Sequence, residues 1–501
     1  MRKMHSAFEA LAITHANVWD PSIAIASVRA GYQGIFDLEF ASDEAAAAEV
    51  LSRLQRLARG PFGLKLRGDN GALIRGLGGE LLSSITLFII TPAEKGLLTE
   101  LVRELRAAGA PSARILLEAV SVEEAELAAA VDADGVIAKG SEAGGRVGNE
   151  TCFVLLQRML RSVSLPVYAQ GGIGPHTAAA AYVAGAAGVV LDSQLLLTRE
   201  ATPSEGLRQA VLRMDGSETA CLGEGLGQGY RVFARRDHQP AKELTHLAEA
   251  LAREGPQGDG ADRWIAAVRG AVRPQQPEHS VWLLGQDAAL AKRLAPDGQS
   301  VKDVIDGLLH AVDRHVAGAK TVRPLAPQSA LARSHGTTYP IVQGPRTRVS
   351  DRSDFAVKVA EGGGLPFLAL ALMPAPEVEA LLRQMEPALH GLPWGVGILG
   401  FVPEELRQQQ MEMVRRYRPD FALIAGGRPD QAMLLEKDGI PTYLHVPSPG
   451  LLGLFVEAGA RRFVFEGQEC GGHIGPRSSF VLWSQAIDLL SELVTAETAG
   501  E

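Results

Sequence analysis

Gly135-Val136-Ile137-Ala138-Lys139-Gly140-Ser141-Glu142-Ala143-Gly144-Gly145-Arg146-Val147-Gly148 reads as a short apolar strand that breaks into a glycine-rich loop. The same order returns at Phe463-Val464-Phe465-Glu466-Gly467-Gln468-Glu469-Cys470-Gly471-Gly472-His473-Ile474-Gly475, with glycine, glutamate and three further glycines at matching spacing. The chain therefore carries one loop twice. The first copy has Arg146 where the second has His473.

Outward from the first copy, short apolar runs alternate with longer Ala/Leu/Glu/Arg segments of helical character, the pattern of a parallel sheet with crossover helices. The runs are Leu11–Thr14, Gly34–Phe40, Phe62–Arg67, Ser84–Ile90, Arg114–Val120, Gly135–Ala138, Pro166–Ala169 and Gly188–Leu191. A doubly wound open sheet is the rival, but regular β/α units in this number predict an α/β chain closing as a (β/α)8 TIM barrel over residues 1–215. Residues 216–330 break the pattern and read as a helical linker. Its helices are predicted near Leu244–Arg253, Asp262–Val272 and Val301–Val316, with a mobile stretch at Glu254–Gly260 and a proline-containing arm at Val322–Gln328. Residues 331–501 start a second, incomplete barrel of about six units: Tyr339–Pro345, Pro366–Leu372, Trp394–Leu399, Phe421–Ala425, Thr442–Val446 and Arg462–Glu466, then a helix at Ser478–Val494. Two missing strands would expose an edge. The expectation is that the protein continues beyond Glu501 or that another chain supplies the seam.

Composition narrows the partners. A 501-residue chain that is 46% hydrophobic can build more than one core, and a net charge of −9 without a Lys/Arg block argues against nucleic acid and anionic membranes. Small molecules or acyl groups are the expected partners. Cys152, Cys221 and Cys470 are too few and too scattered for a disulfide framework or a metal site, and no run is long and apolar enough to span a bilayer. A soluble cytoplasmic protein is the expectation.

The chemistry gathers after the strands. Gln170-Gly171-Gly172-Ile173-Gly174 follows the seventh strand, and Asp192-Ser193 ends the eighth. Glycine amides in these two loops are the habitual phosphate site of such barrels, which fits a mononucleotide such as FMN; the alternative is that Gly171 and Gly172 only turn the chain. Gly144-Gly145 and Gly471-Gly472 let a flat ring lie against the backbone, as do Gln343 and Gly344 at the end of the second copy's first strand. His473 can act as general acid or base, or merely cap the next helix. Arg146 stays protonated and can only place a charge or grip an anion; equally, the first copy has kept its fold and lost its chemistry. Asp37, Glu39, Lys65, Arg67, Glu118 and Lys139 fall on inward faces by period-2 counting and read as an ion network. Cys470, opposite Ala143 in the first copy, reads as a small packing residue.

These residues resemble the nitronate monooxygenase (2-nitropropane dioxygenase-like) FMN barrels, a family that includes flavin-dependent enoyl reductases of fatty-acid synthesis. The matching stretches are Gln343-Gly344-Pro345 with Thr347–Asp351, Gly362–Ala369, Glu466–Gly475 with Pro476–Phe480, and Leu283-Leu284-Gly285-Gln286-Asp287. The arrangement is most similar to tandem copies at the N-terminus of bacterial polyketide or polyunsaturated-fatty-acid synthase-type proteins. The resemblance implies non-covalent FMN and oxidation of a nitronate or reduction of an enoyl thioester. It further implies acyl carrier or synthase domains as partners, with His473 matching the family's active-site histidine. Arg146 departs from that histidine, and Arg346 stands where methionine is usual. The leading expectation is an FMN-dependent oxidoreductase whose first barrel holds the cofactor through Gly171, Gly172 and Asp192-Ser193. The rival is a non-catalytic scaffold that docks synthase or carrier domains.

Overall fold

Period-2 alternation in strands only a few residues long decides what fills the first barrel. The computed structural model describes residues 8–41, 43–77, 79–108, 112–254, 259–389, 391–472 and 474–499, and divides into compact units at 1–316 and 317–501. In the first unit the strands are β1 Glu9–Ile13, β2 Gln33–Asp37, β3 Phe62–Arg67, β4 Ile85–Thr91, β5 Arg114–Ala119, β6 Gly135–Lys139, β7 Gly145–Val147, β8 Val167–Gln170, β9 Gly188–Leu191, β10 Thr219–Leu222 and β11 Gly229–Phe233. All except β7, β10 and β11 pair in parallel, and Glu9 to Ala12 against Gly188 to Leu191 closes the barrel. Closure removes the edges that the open-sheet alternative would leave.

One interior layer is apolar: Leu11, Ile13, Ile35, Leu87, Ile89, Leu116, Ile137, Tyr168 and Val190 pack together. Two residues further along each strand direction, at the C-terminal mouth, stand His15, Asp37, Lys65, Thr91, Glu118, Lys139, Gln170 and Asp192. Each strand thus contributes one polar group to a ring above the apolar layer, because residues i and i+2 share a face.

Helices start where the sequence offers acceptors for their free N–H groups. Asp43 caps the helix Glu44–Ala58 through Ala45 and Ala46, and Ser121 caps Val122–Ala130 through the Glu124 N–H. Gly34 on β2 faces the carbonyl of Ala24, so the helix Ser22–Arg29 packs directly on the sheet backbone; an added Cβ would lie 2.2 Å from that oxygen.

The segment expected as a helical linker is more than helices. It contains the helices Gln239–Glu254, Gly260–Ala271 and Val301–Val322, but β10 and β11 also form a hairpin whose second strand pairs with β7, making an antiparallel sheet in the order β10-β11-β7. Trp264, Tyr230, Val232, Leu244 and Val281 form a core of their own with partly buried Ala16 and Phe40 from barrel loops, so residues up to 316 belong to the barrel unit. Alternation in Gly229–Phe233 is too short to be told from a loop without its pairing partner. Of the stretch expected to be mobile, residues 255–258 lie outside the described residues.

The second unit holds β12 Val342–Gln343, β13 Leu365–Ala369, β14 Gly395–Leu399, β15 Phe421–Ala425, β16 Thr442–Val446 and β17 Phe463–Phe465, a curled parallel sheet of 6 strands in sequence order. Helices such as Ala375–Leu389 and Glu404–Tyr417 cover it, with Leu382, Val396, Ile424 and Leu444 fully buried between. The helix Ser479–Ala499 follows the glycine loop.

Two glycine substitutions separate packing from propensity. Gly34→Ala should destabilise the first unit by about 1–3 kcal/mol through overpacking. Gly307→Ala, in the helix Val301–Val322 with no atom within 4 Å of an added Cβ, should stabilise by about 0.5–1 kcal/mol. Urea midpoints of the two variants measure both.

Candidate functional site

At the mouth of the first barrel Glu118 lies between two lysines, 2.9 Å from Lys65 Nζ and 3.0 Å from Lys139 Nζ, and Lys65 also reaches Glu39 at 2.8 Å and Asp37 at 3.8 Å. These side chains are almost wholly buried, as the inward-face reading requires. Arg67 is the exception: it lies at the rim, donating to Asp69 at 2.8 Å and to the Glu39 carbonyl at 3.0 Å, because it is one step past the ring. Burial alone would raise the Glu118 carboxyl, but Lys139 and Lys65 overcome it and hold it at about 2. Asp37 is pushed up to about 7 by burial, which Lys65 opposes and the Glu39 charge reinforces. Burial also lowers His15, against the pull of Asp192.

Of the donors expected to hold a phosphate, those of Gly172, Gly174 and Ser193 are already engaged. Gly171 and Gly172 take the left-handed backbone (φ 113 and 63) that makes a nest of N–H groups. The Gly172 N–H is accepted by Asp287, which is fully buried and also accepts from Gln194 Nε2 at 3.2 Å. Gly174 N–H donates to Thr177 Oγ1 at 2.7 Å, and the Ser193 N–H and hydroxyl both donate to Asp192. Burial, then the charges of Asp192 and Glu142, push the Asp287 carboxyl well up.

The glycine pair expected to carry a flat ring is covered in the same way. An added Cβ on Gly144 would lie 1.9 Å from the Leu283 carbonyl oxygen, and one on Gly145 would lie 3.7 Å from the Leu283 side chain. The strap Val281–Asp287 is tied down by Asn17, which donates to Ser280 Oγ and the Val281 carbonyl and accepts from Leu283 N–H, all at 2.8 Å. Gln286 N–H donates to the Glu142 carbonyl at 2.8 Å, and His15 Nε2 is 3.3 Å from the Leu283 carbonyl. The space left is about 20 Å³, whereas a bound organic cofactor needs about 300–1,000 Å³. Arg146 points elsewhere: it pairs with Glu124 and borders a surface groove of about 540 Å³ with Tyr230 and Arg269. Asn17, His15, Gln194 and Asp287 were not legible as site residues, since their partners lie far along the chain.

The second unit repeats the loop geometry. Glu142 accepts the Cys152 N–H at 3.0 Å; its twin Glu469 accepts the Ser479 N–H at 2.9 Å and the Ser479 hydroxyl at 2.6 Å. Gly140 is pressed against Cys152 and Gly467 against Ser479. On the two strands before the loop, the Glu118–Lys139 pair is replaced by His445 and Glu466, with Nδ1 and Oε1 2.9 Å apart. Two differences stand out above this frame. The Arg346 guanidinium lies against Gly471, and among the described residues nothing lies within 4 Å of an added Cβ on Gly472 (φ 94) or Gly344. Cys470 is exposed, so it does not pack as its small twin Ala143 does. His473 lies outside the described residues. Among the described residues no cluster of His, Cys, Asp or Glu suits a metal ion, and no helix is long and apolar enough to cross a membrane.

A closed parallel barrel of eight strands, with glycine loops after its sixth and seventh, makes the first unit a (β/α)8 barrel. Residues 96–310 match the family model described as nitronate monooxygenase. The chain is similar to a curated protein of Rhodococcus jostii, (3aS,4S,5R,7aS)-5-hydroxy-7a-methyl-1-oxo-octahydro-1H-indene-4-carboxyl-CoA dehydrogenase, at 28% identity over 188 residues, 37% of this chain and 51% of that protein. The enzyme of the same name from Mycobacterium tuberculosis is 28% identical over 277 residues, 53% of this chain and 70% of its own. The chain thus spans about half the length of the first of these relatives. The solved structure of FabK from Thermotoga maritima superposes with a TM-score of 0.52 at 23% identity, covering 63% of this chain and 96% of that one, and shares the fold.

The ion network makes two predictions. Lys139→Met leaves Glu118 short of a partner in the interior and should cost about 3–5 kcal/mol in chemical denaturation. Asp37 binds its proton more tightly folded (about 7) than unfolded (3.8), so its contribution to stability falls as pH rises through that window. Asp37→Asn should therefore melt above the parent at pH 8, the gap closing toward pH 4. Glu118, at about 2, works in the opposite sense: its contribution is present above 4.5 and is lost as pH falls toward 2.

Proposed function

We propose that the chain serves as an FMN-dependent oxidoreductase of the nitronate monooxygenase class, with its redox site in the second unit. The observation that carries this reading is the contrast between the twin loops: Gly144-Gly145 is covered by the chain itself, while Gly472 and Gly344 stand clear. The backbone of Gly344 is not left-handed and nothing crowds it, so neither torsion nor packing calls for glycine; close approach of a ligand does. Gln343, Gly344, Gly471 and Gly472 would take the ring of FMN, which when bound supplies the redox chemistry.

The chain's own groups supply the rest. Arg346 sets a fixed positive charge beside Gly471, suited to a ring that gains negative charge or to a carbonyl or nitro oxygen. His473, on the same loop, would give or take the substrate proton. Glu469 holds the loop onto the next helix, and the adjoining His445–Glu466 pair provides a second titratable group. The CoA thioester named in the curated relatives supports an acyl thioester as substrate class, ahead of a nitronate, and carrier or synthase domains as its source. A second reading, a non-catalytic scaffold for such domains, is favoured by the filled mouth of the first barrel.

The visible absorbance of the purified chain, followed by FMN titration, separates the two. Saturable FMN binding is expected, and a chain that binds none sinks the oxidoreductase reading. His473→Ala should retain the flavin and lower turnover about 10²–10⁴-fold. Enoyl-thioester reduction with NAD(P)H, run beside nitronate-dependent oxygen uptake, measures that loss and identifies the substrate.

A further inference from the structure

We infer that the first barrel is closed to FMN by its own chain, the strap Leu283–Asp287 having taken the cofactor's place and Asp287 that of the phosphate. Three independent features meet here. The first is occupancy. Asp287 is fully buried and bonded to the Gly172 amide, the group that a phosphate would need, and its Oδ1 has no hydrogen-bond donor among the described residues. The Asp287 carboxyl accepts from an amide that a phosphate would need, and it comes tethered, with no entropy of association to overcome.

The second is charge. Glu142 is wholly buried beside the nest, and Asp192 ends the eighth barrel strand with its carboxylate turned on Ser193. Adding a phosphate dianion beside Asp192 and Glu142, whose charges already act against Asp287, would set like charges against one another with little water to screen them. Lys139, the nearest cation, is already committed to Glu118 at 3.0 Å.

The third is fit. Gly144 and Gly285 are interlocked: an added Cβ on Gly144 would lie 1.9 Å from the Leu283 oxygen, and one on Gly285 would lie 2.4 Å from both the Glu142 oxygen and Asp287 Oδ1. Both glycines are required by strap and loop touching each other, so the glycine that reads as a ring platform is spent on the chain's own backbone. The first barrel is thus not a second flavin site. The closure stands on these contacts alone; only the corollary, that any FMN belongs to the second unit, rests on the function proposed above.

Hydrogen–deuterium exchange of the full chain with and without FMN tests it, read on peptides covering 170–174, 192–195 and 281–290 in the first unit and 343–348 and 466–475 in the second. The expected result is no change in the first-unit peptides. Protection of 170–174 and 192–195, with faster exchange in 281–290, would show that FMN displaces the strap and would overturn the inference. Protection confined to 343–348 and 466–475 supports both closure and the assigned redox site. No response in any peptide supports closure while counting against the redox reading, so the two failures are distinguishable. Gly472→Trp provides an independent arm: FMN retained at the parental stoichiometry would place it in the first barrel and overturn closure, and loss of FMN supports it.

Discussion

Glu118 held between Lys65 and Lys139 is the interaction on which the first barrel's mouth depends. Three charges packed at 2.9 and 3.0 Å in a nearly water-free ring are tolerable only together, since removing any one strands the others in a low-dielectric interior. The ring exists because each barrel strand places its next inward residue above the apolar layer, and in this chain those residues are all polar. Asp37 at about 7 shows how the balance is kept: with Glu39 and Glu118 already opposing the two lysines, a third carboxyl holds its proton near neutrality.

The same frame has been used for different ends in the two units. Glu118 and Lys139 occupy the positions that His445 and Glu466 take in the second, so a carboxylate–ammonium pair is exchanged for an imidazole–carboxylate pair. The loop glutamates, Glu142 and Glu469, do the same structural work, closing the glycine loop onto the following helix. What differs lies above that frame: the strap across Gly144 in one case, Arg346 and uncrowded backbone at Gly344 and Gly472 in the other.

A mouth filled by buried carboxylates and a tied strap is a poor host for a phosphorylated cofactor, and a good rigid foundation. In the second unit Gly344 with Arg346 and Gly471 with Gly472 stand on the loops after the first and sixth strands of its sheet.

Much of this was legible in the residues alone. Strand number and order, the closed barrel, the six-stranded second sheet, the duplicated loop and the inward charges all follow from short-range periodicity, which is a property of adjacent residues and survives without coordinates. The hairpin Thr219–Phe233 was not, because its strands are defined by pairing with each other and with Gly145–Val147. Nor was the fate of the glycine nest: Asp287 lies far in sequence from Gly172, and no spacing rule connects a carboxylate to an amide across that distance. Local sequence determined which loops could bind a phosphate or a ring. Only the tertiary structure decided that in the first barrel the chain binds itself, because occupancy of a site depends on what the fold brings to it.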